Sequence, residues 1–289
     1  MPIYNINGNS LQTAYDIHGN SLQTVYDIEG NAIPLDPSAI LKVMTYNVGQ
    51  WYIGDTNPVP TAKKSEYYAL QNGIFDRHRP QILFMQEYLN NWCADGSTAS
   101  SLLDPYITDQ EVTNPTGYIG HSICTDGYEI QNYTSHQFPT NRGNYPTYET
   151  AQILYEGKTI NIINTHNDYY AQYQQSEIPT LLSAIENMEY FILCGDFNIN
   201  LAVEDTTDAQ YTINVKPFID AGYNVGNLVK DWIPTYFGTS SPTGGKFTDQ
   251  IVTSPNITIG RLYADTAKLT DGIGDKIDHI PLIAELIVS

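Results

Sequence analysis

Apolar residues along this chain gather in short runs that give way, always at one end, to polar groups. The clearest case is Phe191-Ile192-Leu193-Cys194-Gly195-Asp196-Phe197-Asn198, where an unbroken apolar stretch ends in a carboxylate and an amide two residues apart. A run without alternation reads as a strand covered on both faces. The scheme recurs in Val43-Met44-Thr45-Tyr46-Asn47, in Ile82-Leu83-Phe84-Met85-Gln86-Glu87, in Ile160-Asn161-Ile162-Ile163-Asn164-Thr165-His166-Asn167 and at Ile277-Asp278-His279. Separate segments therefore aim polar groups at one place. Between the runs the period changes. Residues 61–77 carry Tyr67, Leu70, Ile74 and Phe75 at helical spacing and stop before Pro80, and Ile178, Leu181, Leu182, Ile185 and Met188 form a second stripe before a strand at Tyr190 to Cys194. Phe247 to Ser254 and Ile280 to Val288 read as further strands, the first after the turn-forming Ser241-Pro242-Thr243-Gly244-Gly245. Strands interrupted by few helices predict two packed β-sheets with helices outside, a layered α/β (α+β) sandwich.

The first 36 residues follow another rule. Tyr4 to Ala14, Tyr15 to Val25 and Tyr26 to Ala32 are successive copies of an eleven-residue repeat, the last incomplete. Each copy has a Gly-Asn pair suited to positive φ, flanked by β-favouring residues, and so predicts a short strand, a tight turn and another strand. A lone two-stranded hairpin is marginal in water. The expectation is a small β-hairpin module over residues 1–36 that packs on the main domain or self-associates, with Ile33-Pro34-Leu35-Asp36-Pro37 as linker and one larger domain over residues 37–289. The remaining length suits a single domain.

Charge narrows the chemistry. Thirty-two Asp and Glu against 13 Lys and Arg give a formal net charge of −19, which disfavours passive electrostatic gripping of a polyanion. Phosphate chemistry on such a chain must recruit cations, and carboxylates converging on one cleft can do so through a divalent metal. The three cysteines, Cys93, Cys124 and Cys194, fit neither zinc spacing nor a disulfide framework. No Lys or Arg precedes Lys42, no sustained apolar run follows Met1, and no segment reaches the ~20 apolar residues that cross a membrane. The expectation is a soluble protein without stable membrane insertion, cytoplasmic or released.

Six short motifs now stand in order: Thr45-Tyr46-Asn47, Gln86-Glu87, Thr165-His166-Asn167, Gly195-Asp196-Phe197-Asn198, Thr248-Asp249-Gln250-Ile251 and Asp278-His279-Ile280-Pro281. Together they resemble the motifs of the endonuclease/exonuclease/phosphatase superfamily, the deoxyribonuclease I-like fold, over roughly residues 40–289. The resemblance implies a four-layered α/β sandwich with its site at one edge of the two sheets, and metal-dependent hydrolysis of a phosphate ester. It implies Glu87 as direct ligand of Mg²⁺ or Mn²⁺, with Ca²⁺ also admissible, and Asn47 and Asp278 beside it. Asp196 is expected to hold or deprotonate the attacking water, with the neutral amide of Asn198 orienting it. His279 is expected to meet the phosphate, its ring held by Asp249, and His166 to face the leaving group. Arg142 and Asn167 are the expected phosphate or substrate contacts, with Lys246 a lesser one. Departures are Gln81 where Asp is common, Ile277 where Ser is usual, and Asn167-Asp168 after His166 in place of an apolar residue.

The substrate class favoured is nucleic acid, cleaved by in-line attack of an activated water. Twenty-three tyrosines are available to stack on bases. Phospholipid, sphingomyelin-type or small phosphate esters are the alternative substrates, with Trp51-Tyr52-Ile53 and Trp232-Ile233-Pro234 as the apolar segments a lipid surface would need. A reading from another class keeps the fold as an attachment or assembly module whose site is vestigial.

Overall fold

The computed structural model describes residues 14–15, 21–22, 24–26, 32–34, 40–49, 64–88, 109–113, 120–139, 147–229, 231–237, 245–266 and 278–289. In the repeat region two short antiparallel pairs occur, β1 (Ala14–Tyr15) with β2 (Ser21–Leu22) and β3 (Thr24–Tyr26) with β4 (Ala32–Pro34). The paired strands flank Gly19-Asn20 and Gly30-Asn31, the positions where the repeat predicts turns. Ile33 and Pro34, expected in the linker, belong instead to β4, where a two-stranded edge tolerates a residue without an N–H.

The main body begins with β5 (Ile40–Asn47), α1 (Lys64–His78) and β6 (Ile82–Gln86), a parallel strand-helix-strand unit. It continues through β7 (Asp109–Thr113), β8 (His121–Thr125), β9 (Gln131–Gln137) and β10 (Thr147–Tyr155). A second parallel unit follows, β11 (Lys158–His166), α2 (Ala171–Ile185) and β12 (Phe191–Asp196). The chain ends with α3 (Ala209–Asn214), α4 (Lys216–Asp220), β13 (Asn224–Val225), β14 (Asp249–Thr253), β15 (Ile257–Ala264) and β16 (Leu282–Val288). One six-stranded sheet has the order β13-β14-β12-β11-β10-β9 and the other β15-β16-β5-β6-β8-β7. Both parallel pairs are central, as strands buried on two faces must be.

Three apolar clusters separate four layers. Ile82 and Phe84 of β6 meet Ile192 and Cys194 of β12 between the sheets. The alternate residues of β6, Leu83 and Met85, pack with Ile74 and Phe75 of α1 on the outer side of their sheet. Likewise Phe191 and Leu193 of β12 pack outward on Ile178, Leu181 and Ile185 of α2. This two-sided burial is the physical reason the strand sequences are apolar without alternation. Cys124 and Cys194 are buried thiols outside any disulfide, whereas Cys93 lies outside the described residues.

Near one end of the sandwich the inter-sheet packing turns polar. Gln86 Nε2 on one sheet donates to Asn164 Oδ1 on the other at 2.7 Å, and Asn164 Nδ2 reaches Glu149 Oε2 at 3.2 Å and the carbonyl of Met85 at 3.0 Å. The bonds of Asn164 to Gln86 and Met85 lock the two sheets together one residue behind Glu87 and two behind His166, and the bond to Glu149 braces Asn164 within its own sheet.

Candidate active site

Register explains why distant motifs converge. The parallel pairing of β5 with β6 sets Asn47 beside Gln86, and that of β11 with β12 sets His166 beside Asp196. The antiparallel β14 enters at the same level, so Asp196 faces Asp249. Tyr236 forms an antiparallel bridge with His279 just ahead of β16. Two residues just beyond strand ends, Glu87 and Asn198, adopt left-handed backbone with φ of 54° and 51°. For residues with a Cβ this conformation costs about 1–2 kcal/mol, and in both places it turns the chain sharply at the mouth of the sandwich. Gly195 has φ +157°, and a Cβ there would run into the backbone carbonyl of Thr165 on the neighbouring strand.

Asp196 Oδ2 is the hub of the arrangement. Asn47 Nδ2 donates to it at 3.0 Å, and His166 Nε2 and His279 Nε2 each stand 3.6 Å away. Its other oxygen, Oδ1, accepts the backbone N–H of Asn198 at 2.7 Å. His279 Nδ1 lies 3.3 Å from Asp249 Oδ2, which also accepts from Thr248 Oγ1 at 2.8 Å. Burial raises the Asp196 carboxyl above the ordinary carboxylate range, and Asp249 adds to this while His279 opposes it. For His279 burial alone would lower the imidazole, but Asp196 and then Asp249 overrule it and push it well up. Burial, with the His279 charge, holds His166 below the usual histidine value. The two histidines thus flank one carboxylate with their imidazoles shifted in opposite directions, His279 up and His166 down. Such a pair can stabilise charge on one side of a reacting centre and exchange a proton on the other.

A cleft of about 580 Å³ opens over this hub and is lined by Glu87, His166, Asp196, Asn198, Asp278 and His279 among others. Asn167 also lines it, with its Oδ1 accepting from Thr165 Oγ1 at 2.7 Å and its Nδ2 buried without a hydrogen-bond partner among the described residues. Asn198 Nδ2 donates to the Asn167 carbonyl at 2.7 Å, tying the two loops together. Asn47, expected beside the metal, enters as a donor: its Nδ2 spans Glu87 Oε1 at 3.2 Å and Asp196, while its Oδ1 accepts from the Gly49 N–H at 3.0 Å. Lys246 lies on the cleft wall with Nζ 5.5 Å from the centre of the Tyr236 ring. Arg142 and the segment Trp51-Tyr52-Ile53 lie outside the described residues.

The structure adds residues that sequence patterning passes over. Gln174 and Glu177 of α2 are fully buried beneath the site loops, Gln174 Nε2 donating to the carbonyls of Asp168, Phe197 and Asn198 at 2.7, 3.2 and 3.1 Å. Their signal was present, because both fall on the buried face defined by Ile178, Leu181 and Ile185, where polar side chains need partners. His121 of β8 sets its ring edge-on to His166 with centroids 5.9 Å apart.

The donor set suits a hard divalent cation. Glu87 Oε2 is buried and has no hydrogen-bond partner among the described residues, and burial raises its carboxyl above the normal range. A bound ion would satisfy that oxygen and offset the cost of burying charge. Asp196, Asp249 and His279 also bring ligand atoms within 4.8 Å of one another.

No family pattern and no curated protein matches the sequence. Solved structures do match. TDP2 of D. rerio in a humanised form aligns at TM-score 0.65 and 15% identity over 86% of this chain and 99% of that one. The human Nocturnin catalytic domain aligns at 0.60 and 15% over 87% and 95%, and a mannosyl-6-phosphatase of Bacteroides thetaiotaomicron at 0.61 and 16% over 86% and 99%. With two six-stranded sheets back to back and polar strand ends gathered at one edge, the chain has the deoxyribonuclease I-like α/β sandwich fold that these solved structures share.

Proposed function

We propose that this chain is a divalent-metal-dependent phosphoesterase and that its substrates are nucleic acid phosphodiesters. The observation that carries the reading is Asp196 with His166 and His279 each 3.6 Å from its Oδ2, beside a buried Glu87 oxygen that has no hydrogen-bond partner among the described residues. Mg²⁺ or Mn²⁺ held by Glu87, with Asp278 from the facing loop, would supply Lewis-acid stabilisation of the phosphate oxygens. Asp196 takes the proton of the attacking water, its carboxyl already raised by burial toward neutrality. His279, cationic through Asp196 and Asp249, donates to a non-bridging oxygen as charge builds there. His166 faces the departing oxygen from the other side. Asn47 and Asn198 hold the carboxylates and loops in register without adding charge. Water and a diester give a monoester and an alcohol, so no redox partner is needed. The D. rerio TDP2 structure described as complexed with single-strand DNA product, at 14% identity and TM-score 0.64, is in keeping with this substrate class. For the repeats we propose attachment or self-association. Among the described residues no helix is long and apolar enough to cross a membrane.

The test is nicking of supercoiled plasmid in Mg²⁺ or Mn²⁺, run beside a bis-aryl phosphodiester, with chelator and with His279→Ala and Asp196→Ala. Each substitution is expected to lower turnover by ~10²–10⁴-fold, the usual share of a positioned acid or base, with folding retained by circular dichroism. A well-folded Asp196→Ala protein of normal activity would reject the assignment. Turnover of the aryl ester alone would keep the centre and move the substrate to small or lipid esters.

A further inference from the structure

The loop after His166 combines a rigid, buried foundation with exposed aromatic rings. Tyr169 and Tyr170 are 57% and 44% exposed, and Tyr169 lines the cleft next to His166, Asn167 and Asp168. Their ring centroids are 4.0 Å apart at an interplanar angle of 40°, and Tyr173 braces Tyr170 edge-on at 6.1 Å. Beneath them, Glu177 Oε2 accepts the Asp168 N–H at 2.9 Å and Asp168 Oδ1 accepts the Tyr170 N–H at 2.8 Å. Gln174 clamps the Asp168 carbonyl at 2.7 Å, and its own Oε1 accepts from Asn214 Nδ2 at 2.9 Å. Burying a carboxylate and two amides is expensive unless their bonds fix something useful. What they fix is the backbone that carries two rings at the lip of the cleft, so the rings are pre-organised for contact with a ligand.

Charge indicates what that ligand contact must be. With a net charge of −19 and acids crowding the centre, long-range attraction cannot hold a polyanion here. Stacking on the neutral face of a base is free of that penalty and tolerates any sequence. We propose that Tyr169 and Tyr170 form a stacking subsite for an unpaired nucleobase on the arm of the phosphodiester that His166 faces. The subsite rests on the phosphodiesterase reading and extends it, because paired bases hide their faces in the duplex and a stacking platform selects single strands.

Cleavage of a short oligothymidylate is compared with that of an abasic strand of equal length, which keeps every phosphodiester and lacks every base, with the bis-aryl ester alongside. The wild-type protein is expected to favour the oligothymidylate, and Tyr169→Ala to shrink that preference in kcat/KM by roughly ten- to hundredfold, the effect of one stacked base. Tyr169→Phe should retain the preference, since the ring and not the hydroxyl does the stacking. Parallel losses on both strands, or an undiminished preference in Tyr169→Ala, would overturn the subsite. If the wild-type protein turns over the aryl ester and neither strand, the nucleobase is rejected as occupant while the phosphoesterase reading stands. If it turns over none of the three, both fall.

Discussion

At the scale of single residues, the site is a problem in keeping histidines in chosen charge states. His121 shows how far burial can go: enclosed in β8 and set against His166, its imidazole is pushed down to about 3 from an ordinary 6.5. Above pH 6.5 folded and unfolded chains both hold it neutral, so it makes no difference to stability. Below 6.5 the unfolded chain takes up a proton that the folded one refuses, and stability falls by about 1.4 kcal/mol per pH unit from this group. The loss continues until pH nears 3, where the folded form protonates as well. Asp196 acts in the opposite sense, since a carboxyl raised by folding gains a proton in the folded state first. The two are separated by difference. Urea unfolding of the metal-free protein between pH 7 and 5, repeated on His121→Phe, is expected to show a shallower loss of stability in the variant by up to ~1.4 kcal/mol per unit. Equal slopes in the two proteins would mean that His121 titrates normally.

Among elements, the decisive contact is the parallel pair β11–β12, because its register places His166 beside Asp196. Gly195 makes that pairing possible: a Cβ there would strike the Thr165 carbonyl, and the backbone angle of +157° is one that L side chains rarely adopt. Gly195→Ala is expected to cost about 1–3 kcal/mol, lowering Tm by several degrees and activity with it. Gly73, inside α1 with its nearest prospective neighbour 3.5 Å away on the flexible Arg77, should behave oppositely. Gly73→Ala is expected to stabilise by about 0.5–1 kcal/mol, and scanning calorimetry of both variants checks the pair. Elements of this central kind were legible in the sequence. The doubly buried β5, β6, β11 and β12 announce themselves by continuous apolar runs, and α1 and α2 by their stripes. The edge strand β9 was not legible, because most of its residues face solvent and its sequence Gln131-Asn132-Tyr133-Thr134-Ser135-His136-Gln137 carries no apolar rhythm. The polar β7, at the edge of the other sheet, likewise carries no apolar rhythm in Asp109-Gln110-Glu111-Val112-Thr113. The site residues at strand ends were read because the apolar pattern stops there. For Gln174 and Glu177 helical spacing marks a buried polar position but not the backbone they hold, and His121 sits in a strand whose pairing spacing along the chain does not encode.

For the molecule as a whole, charge sets the terms on which any polyanion approaches. Nucleic acid-binding proteins ordinarily lose affinity as salt rises, because their cations displace the counterions of the phosphates. This chain carries 32 acidic against 13 basic side chains, so the long-range term has the opposite sign. On the proposed function, approach is repelled, and the strand would be held by short-range contacts at the cleft, a divalent cation and stacking faces. Monovalent salt shrinks the Debye length from ~30 Å at 0.01 M to ~10 Å at 0.1 M, which removes the repulsion across the protein surface while leaving contacts at a few ångströms largely intact. At fixed, saturating Mg²⁺, kcat/KM on a single-stranded oligonucleotide is therefore expected to rise severalfold between those two salt concentrations, whereas turnover of a singly charged bis-aryl phosphodiester should hardly change. The comparison isolates substrate charge, since both reactions use the same centre and the same ion. A fall in oligonucleotide cleavage over this range would show that basic groups concentrated near the cleft dominate the encounter despite the net charge, and would shift the explanation of binding from stacking to ion pairing.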